Sequence, residues 1–291
     1  MGKQMTILDG KETSKEILNN IEIEIKSLLD QGSRVPRLDI IIIGHDYASE
    51  KYVSMKEKEG ERLGIKIIVH RFEDDIGDND VKILIEKLNQ DSLVDGIMVQ
   101  LPLPNANKTF NTKDILEVID ISKDVDGLTY ASLGSVWVER EGIGPATPTG
   151  IIKLLDEYDI DVTGKNAVVV GRSKIVGLPL AGMLSRRDAT VTIAHSRSEN
   201  LQEICKNADI LAIGIGKPKY INRDYIKKGS VVIDIGINRD YDGNLVGDVD
   251  FDDVKDVCAY ITPVPGGVGP MTIASLFFNL IKVYKRNVKR Y

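Results

Sequence analysis

The run Asn166-Ala167-Val168-Val169-Val170-Gly171-Arg172-Ser173-Lys174-Ile175-Val176-Gly177 sets four apolar residues before a glycine and places a second glycine six positions on. A short apolar run closed by glycine reads as a strand buried on both faces, and from Gly177 the apolar pattern becomes helical as far as Arg187. Strand, glycine turn and helix start together make an anion cradle: small residues let the backbone approach, and free amides at a helix N-terminus point at a pyrophosphate. The spacing is not G-x-G-x-x-G, so on this stretch alone an ordinary strand-to-helix turn is the alternative.

Downstream, Thr190–Ala194 reads as the next strand and ends in Ala194-His195-Ser196-Arg197-Ser198. An NAD enzyme would offer a carboxylate to the adenosine ribose about 20 residues past its phosphate turn. Here a hydroxyl and a guanidinium stand instead, with Arg172 available from the first turn, and a guanidinium fork matches phosphate oxygens. The residues favour NADP over NAD. Leu201–Lys206 reads as a helix, Ile210–Gly214 and Val231–Ile235 as strands, and Cys258–Ile261 as a last strand. Upstream, Thr147-Pro148 reads as a helix N-cap and first turn, opening a helix to about Tyr158.

The first half alternates in the same way. Residues 11–31 carry an amphipathic pattern (Ile17, Ile21, Ile25, Leu28, Leu29), Leu38–Ile43 is a buried strand, and a helix follows from Asp46 to Leu63 with Gly64 as its stop. Ile65–Val69 is a strand and Val81–Leu88 a helix. Asp95–Gln100 is a strand running into Leu101-Pro102-Leu103-Pro104, where prolines forbid further ladder pairing. Strand and helix in alternation imply parallel sheets with covering helices, whose ligands gather beyond the carboxyl ends of the strands. Gln100 is at such an end. Between Asp120 and Pro148 the pattern weakens into polar turns, one of them Glu139-Arg140-Glu141-Gly142. The final pattern Ile273, Leu276, Phe277, Leu280, Ile281, Tyr284 is a long amphipathic helix suited to packing back on the first domain.

Within the Asp46–Leu63 helix, Tyr52 and Lys56 are four apart and project from one face. A lysine partly withdrawn from water loses affinity for its proton and can exchange protons near neutral pH. An ordinary surface lysine is the plainer alternative for the pair taken alone. Tyr-x-x-x-Lys also occurs in short-chain dehydrogenases, but those open with a glycine-rich loop after the first strand, and Gly44-His45-Asp46 offers none.

At 291 residues the chain suggests two domains, and 42% hydrophobic residues supply packed cores. A net charge of −6 argues against a nucleic-acid surface. No apolar run reaches the roughly 20 residues of a membrane span. The start, Met1 to Thr6, lacks a signal-peptide core and reads as a strand start. Cys205 and Cys258 are far apart, as suits a reducing cytoplasm. His45, His70 and His195 are scattered, and no metal is expected.

Taken together, the chain resembles the bifunctional methylenetetrahydrofolate dehydrogenase/methenyltetrahydrofolate cyclohydrolase family over essentially its whole length. Six motifs carry the likeness, in order: Tyr52-x-x-x-Lys56; Asp95-Gly96-Ile97-Met98-Val99-Gln100-Leu101-Pro102-Leu103-Pro104; Lys123-Asp124-Val125-Asp126-Gly127; Val170 to Gly177; Val231-Val232-Ile233-Asp234-Ile235-Gly236-Ile237-Asn238; and Ile261-Thr262-Pro263-Val264-Pro265-Gly266-Gly267-Val268-Gly269-Pro270-Met271-Thr272. Six motifs in order exclude chance, so the ordinary-turn and ordinary-lysine alternatives fall away.

The resemblance implies NADP-dependent oxidation of 5,10-methylenetetrahydrofolate to the methenyl cation, then hydrolysis to 10-formyltetrahydrofolate. It implies Lys56 as the central catalytic group, supported by Tyr52 and Gln100, with Asp126 holding the pterin. It places folate against Tyr52, Lys56, Val99, Gln100, Leu101, Asp126 and the side-chain-poor run Pro265, Gly266, Gly267, Val268, Gly269, with Pro270 starting the last helix. NADP would lie on Gly171, Arg172, Ser173, Gly177, Ser196, Arg197 and Ile237. A homodimer is implied, with no nucleic-acid or membrane partner. Hydride loss creates a cation, so a lysine neutral for part of the cycle avoids repulsion and can then act as base toward water.

The expected fold is α/β in two domains, each a mainly parallel sheet with covering helices. Residues 1–146 with a C-terminal helix 270–291 would form the catalytic folate domain, and 147–269 a Rossmann-like NADP domain, with the folate cleft between them. The chain departs from the family at Ala146, where a cysteine is usual, and at Ser132, Ser135 and Val136 after the pterin aspartate; the latter bear on substrate affinity and on the balance of the two activities. A dehydrogenase with weak or no cyclohydrolase activity is the second reading. A non-catalytic NADP- or folate-binding protein is the third, disfavoured because it would not need Lys56.

Overall fold

The structure, a computed structural model, describes residues 5–104, 110–138 and 142–288. The residues before Met5 and most of the polar turn expected at Glu139–Gly142 lie outside the described residues. In chain order the elements begin β1 (Thr6–Ile7), α1 (Gly10–Asp30), β2 (Arg37–Ile43), α2 (Tyr47–Leu63), β3 (Lys66–Phe72), α3 (Asp78–Gln90) and β4 (Gly96–Val99). They continue with α4 (Thr112–Leu116), α5 (Tyr130–Val138), α6 (Ala146–Glu157), β5 (Asn166–Val170), α7 (Gly177–Ser185), β6 (Thr190–Ala194), α8 (Leu201–Lys206) and β7 (Ile210–Ile213). The last are β8 (Val231–Asp234), β9 (Asn238–Arg239), β10 (Leu245–Val246), α9 (Phe251–Val254), β11 (Tyr260–Ile261) and α10 (Val268–Val288). The backbone divides into two compact units, residues 16–134 with 276–291, and residues 1–15 with 135–275.

The first unit holds a three-stranded parallel sheet in the order β3-β2-β4. Six of the seven β2 residues are buried, as its unbroken Leu-Asp-Ile-Ile-Ile-Ile run requires of a central strand. β4 ends at Val99, though the Gln100 amide still donates to the Ile41 carbonyl at 2.8 Å. The C-terminal half of α10 belongs to this unit, with Phe277, Leu280 and Tyr284 fully buried. A Cβ built on Gly96 would meet Leu280 Cδ1 at 2.8 Å, so strand and helix touch where no side chain fits.

α2 shows why its residues form a helix and why it stops. The Asp46 carboxylate accepts the Ser49 amide at 2.8 Å at the N-cap, and Gly64 (φ 77°) closes the C-terminus by donating to Glu61 and Gly60 carbonyls. Ser49, Val53, Lys56, Gly60 and Leu63 make its buried face.

The second unit holds a six-stranded sheet in the order β1-β11-β8-β7-β5-β6, parallel throughout. β5 is the switch point, since the chain moves from it to β6 on one side and then crosses back to β7 on the other. β9 and β10 form a small antiparallel hairpin after β8.

Several boundaries move. The helix expected to open with Thr147 as N-cap begins at Ala146 with Pro145 in the capping position, so Thr147 lies in its first turn, sharing a hydrogen bond with the Thr272 hydroxyl at 3.2 Å. α10 begins at Val268, so Pro270 sits inside the first turn, where its missing N–H costs nothing. α7 ends at Ser185, short of Arg187. Near the C-terminus, β11 is confined to Tyr260 and Ile261.

Gly60 sets how closely α2 lies on β3, because a Cβ there would come within 2.4 Å of Ile67 Cγ1. Gly60→Val should destabilise the protein by about 1–3 kcal/mol through overpacking, read as a fall in the urea midpoint. Gly134→Ala, where nothing lies within 4 Å of the added Cβ, should leave the midpoint unchanged or raise it.

Candidate active site

At the carboxyl end of β4 the Gln100 side chain is held by its own neighbour, its amide nitrogen donating to the Leu101 carbonyl at 2.7 Å. That fixes its oxygen as the free acceptor, and Lys56 donates to Gln100 Oε1 at 2.8 Å. Lys56 is buried, 8% exposed, an uncommon state for an ammonium without a contacting carboxylate. Burial pulls its proton affinity below the ordinary lysine value, and the nearby charge of Asp126 opposes the shift in part.

Asp126 stands on a loop built by another carboxylate. Buried Asp124 accepts the amides of Gly127 (2.9 Å), Leu128 (3.3 Å) and Thr129 (2.9 Å). The Asn279 side chain donates to the Val125 carbonyl at 3.0 Å, which ties the loop to α10. Beneath it, the Lys123 ammonium donates to the carbonyls of Leu88, Asn89 and Asp91 at 2.7–2.8 Å, closing the C-terminus of α3. The Asp126 carboxylate itself takes no hydrogen bond from any described residue. Part of the residue is open to solvent, yet protein surrounds the carboxyl closely enough to push it up to about 6 by burial, with Lys56 opposing and Asp124 adding to the rise. Lys56 and Asp126 influence each other without an ion-pair contact.

Tyr52, one turn before Lys56, is 49% exposed, and its hydroxyl has no partner among the described residues. A residue the sequence reasoning missed shares the helix face: Ser49, 4% exposed, whose Oγ is buried without a hydrogen-bond partner. Its signal was spacing, since Ser49, Val53 and Lys56 recur at helical period. Val99 lies in the core, 1% exposed, so a ligand there would meet its backbone; Leu101 is partly exposed. Ser132, one of the departures, is 1% exposed and accepts the Thr129 hydroxyl at 3.1 Å, bracing the loop after Asp126.

In the other unit, the Val170–Gly177 turn has the features of an anion cradle. Gly171 (φ 127°) would bring a Cβ to 2.4 Å from the Gly214 carbonyl oxygen, and Gly177 would bring one to 2.2 Å from that of Gly171. Only glycine permits either approach. Ser173 Oγ accepts the Gly177 amide at 3.2 Å, while the amides of Arg172, Ser173 and Lys174 find no acceptor among the described residues. Val170 pairs with Ala194, so the exposed turn carrying Ser196 and Arg197 begins at the same level as the Gly171 turn. Arg172 is also exposed. These features fit a dinucleotide phosphate.

The Pro265–Gly269 segment is backbone-rich as expected. Gly266 has φ 105°, and a Cβ on Gly267 would meet the Pro263 carbonyl oxygen at 2.5 Å. Gly10, not singled out from sequence, permits this loop: its own Cβ would fall 1.8 Å from the Gly267 oxygen, while the Lys11 amide donates to the Gly266 carbonyl at 3.0 Å. Val268 is buried; Pro265 and Gly269 are exposed, and Ile237, 57% exposed, lies 3.7 Å from where a Gly269 Cβ would be.

Residues 8–126 match the model of the tetrahydrofolate dehydrogenase/cyclohydrolase catalytic domain, and residues 145–288 that of the NAD(P)-binding domain of the same family. The bifunctional protein FolD of Campylobacter concisus is 48% identical, covering 95% of this chain and 96% of its own. The crystal structure of the bifunctional FolD enzyme of Campylobacter jejuni is 42% identical with a TM-score of 0.93, covering 97% of this chain and 99% of that one. The Trypanosoma brucei methylenetetrahydrofolate dehydrogenase-cyclohydrolase, solved with NADP and an inhibitor, is 33% identical with a TM-score of 0.90, covering 99% of this chain and 100% of that one.

The raised carboxyl of Asp126 makes a stability prediction. Its folded value of about 6 lies above the unfolded value of about 3.9. The group therefore contributes stability that is full below about pH 4 and lost as pH rises through its folded value. Asp126→Asn, which cannot ionise, should be more stable than wild type above pH 6 by on the order of 2 kcal/mol, with the gain vanishing near pH 4. Denaturant titrations at several pH values check this.

Proposed function

The chain belongs to the tetrahydrofolate dehydrogenase/cyclohydrolase family and is a bifunctional methylenetetrahydrofolate dehydrogenase and methenyltetrahydrofolate cyclohydrolase, and from that premise we propose how its residues divide the work. Lys56 is the central catalytic group, Gln100 orients it, Tyr52 supports it from the same helix, and Asp126 anchors the pterin. The observation that carries this is a buried lysine hydrogen-bonded to a neutral amide instead of a carboxylate.

Bound NADP supplies the hydride acceptor. The protein's part in that step is positioning, because bringing the donor carbon into contact geometry is worth more than any proton transfer. Asp126, whose oxygens take no hydrogen bond from a described residue, receives N–H donors on the pterin edge, and the exposed side chain of Tyr52 offers a further polar contact. Loss of hydride leaves a cation, beside which a charged ammonium would be unfavourable. Burial lowers the proton affinity of Lys56 and so reduces the cost of giving up that charge relative to a solvated lysine. In hydrolysis the same amine takes a proton from a water whose oxygen bonds to the methenyl carbon, and Gln100 Oε1 holds the resulting ammonium. That proton then passes to the ring nitrogen as its bond to the carbon breaks, and the carbinol proton leaves to solvent.

NADP, rather than NAD, is supported by exposed Arg172, Ser196 and Arg197 beside a cradle whose Gly171 and Gly177 leave room for the phosphates. Ser173 and Ile237 complete the proposed cofactor contacts, and the Pro265–Gly269 segment the folate contacts. A homodimer is supported by β3, whose outer edge pairs with no described strand of the chain. A cytoplasmic setting is supported by two buried free thiols, Cys205 and Cys258.

Lys56→Met keeps the length and removes the amine. Hydrolysis of added methenyltetrahydrofolate should fall by about 10² to 10⁴, and dehydrogenation by less. Hydrolysis at the wild-type rate above its spontaneous background would remove Lys56 from the centre of the reaction. Arg172→Ala should weaken NADP binding by about one to two decades and hardly change that of NAD. Equal weakening of both in calorimetric titration would contradict the 2′-phosphate role.

A further inference from the structure

We infer that Asp248 is a positioning residue for the nicotinamide half of the cofactor, acting through the loops after β7 and β8; this rests on the NADP reading above. The sheet order dictates the direction. With the 2′-phosphate at the end of β6 and the pyrophosphate at the end of β5, a dinucleotide continuing the same way passes over β7 and then β8, strands spaced about 4.8 Å apart. Val170 pairs with Ile213, and Ile213 with Asp234, so all these strands end at one level.

A single carboxylate holds the loops that leave β7 and β8 at that level. Asp248, fully buried, accepts the amides of Ile215 (2.6 Å) and Gly216 (3.0 Å) on Oδ2. On Oδ1 it accepts the Lys217 amide (2.7 Å) and the Asn238 side-chain amide (2.9 Å). One group thus clamps the 214–217 loop to the segment bearing Ile237. The clamped loop also abuts the phosphate turn, since the Gly214 oxygen is the atom that a Gly171 Cβ would strike.

Asp248 is itself delivered by the β9–β10 hairpin, fastened to the end of β8. Buried Asp234 accepts the amides of Asp248 and Val249 at 2.9 Å and that of Gly236 at 3.0 Å. Glycine is required on both sides: a Cβ on Gly236 would lie 2.3 Å from Asp248 Cγ, and one on Gly247 would lie 1.7 Å from Asp234 Oδ2. The carboxylate therefore has one seat, and each of its oxygens has two donors.

That pairing makes Asp248→Asn informative. In either orientation of the carboxamide an NH₂ faces two N–H donors, so two of the four bonds are lost. The loop should shift while the β5 turn and the β6 end keep their own hydrogen bonds. Titration of the full-length variant without folate should show NADP affinity reduced about tenfold, with the affinity for adenosine 2′,5′-bisphosphate, which lacks the nicotinamide half, unchanged. Dehydrogenase kcat at saturating NADP should fall about ten- to a hundredfold, as expected for misplacement on the ångström scale. Asn238→Ala, which removes one donor and leaves the buried carboxylate in place, should move NADP affinity in the same direction by less, and it decides the matter if Asp248→Asn does not fold. Wild-type NADP affinity in the folded variants, or equal losses for NADP and the bisphosphate, would overturn the positioning role and leave Asp248 a general stabiliser. Failure of wild-type protein to bind the bisphosphate would overturn the NADP reading and the clamp's role together.

Discussion

The hydrogen bond from Lys56 to Gln100 is the constraint on which the catalytic unit depends. An ammonium taken out of water needs strong compensation, and a neutral amide supplies less than a carboxylate would. The Gln100 backbone is tied to Ile41 in the sheet and its side chain to Leu101, so the acceptor cannot follow the lysine if α2 moves. Helix α2 must therefore be set against the sheet to within a hydrogen bond's tolerance. Its two caps, the glycine contact of Gly60 on Ile67 and the buried Val53 and Leu63 do this, and the stability they provide offsets the cost of burying the amine.

Four buried or half-buried aspartates separate scaffold from site. Asp124, Asp234 and Asp248 each accept three or more N–H donors, and each shapes one loop at the end of a parallel strand or of its continuation. Asp126 is closely surrounded though partly open to solvent, and no described residue donates to it. An enclosed carboxylate without donors is unfavourable for folding and useful for binding, because a ligand's N–H groups then meet oxygens that give up only water. The same side chain braces a loop or stays open to a ligand according to whether the backbone reaches it first.

Much of this was legible in the sequence because periodic burial writes itself into residue type. The apolar runs at 38–43, 167–170 and 231–234 marked the central strands, and the Tyr52/Lys56 spacing placed both on α2. The membership of β1 in the six-stranded sheet was not legible, since it comes from pairing with β11, more than two hundred residues away. Nor were the helix starts at Ala146 and Val268, where proline marked the first turn without marking its first residue. The contributions of Ser49, Gly10 and Asp248 were hidden for a different reason. Each depends on a non-local neighbour: a hydroxyl left without a partner, a glycine under another loop's carbonyl, a carboxylate collecting amides from a loop thirty residues before it. Residue type alone does not disclose any of these.

The proton balance of the catalytic unit follows from the same geometry. Burial lowers the proton affinity of Lys56 and raises that of Asp126, while each group's charge works against the other's shift. Burial thus draws the two proton affinities toward one another from the widely separated values of a free lysine and a free aspartate. Exchanging a proton at either group then costs less than at a fully solvated pair, whose affinities stay far apart. Direct contact would oppose this, since an Asp126 carboxylate touching the ammonium would favour the charged form of both. The lack of an ion-pair contact between them, together with the neutral amide at Lys56, leaves the lysine less firmly protonated than a carboxylate partner would, which is what its proposed role requires.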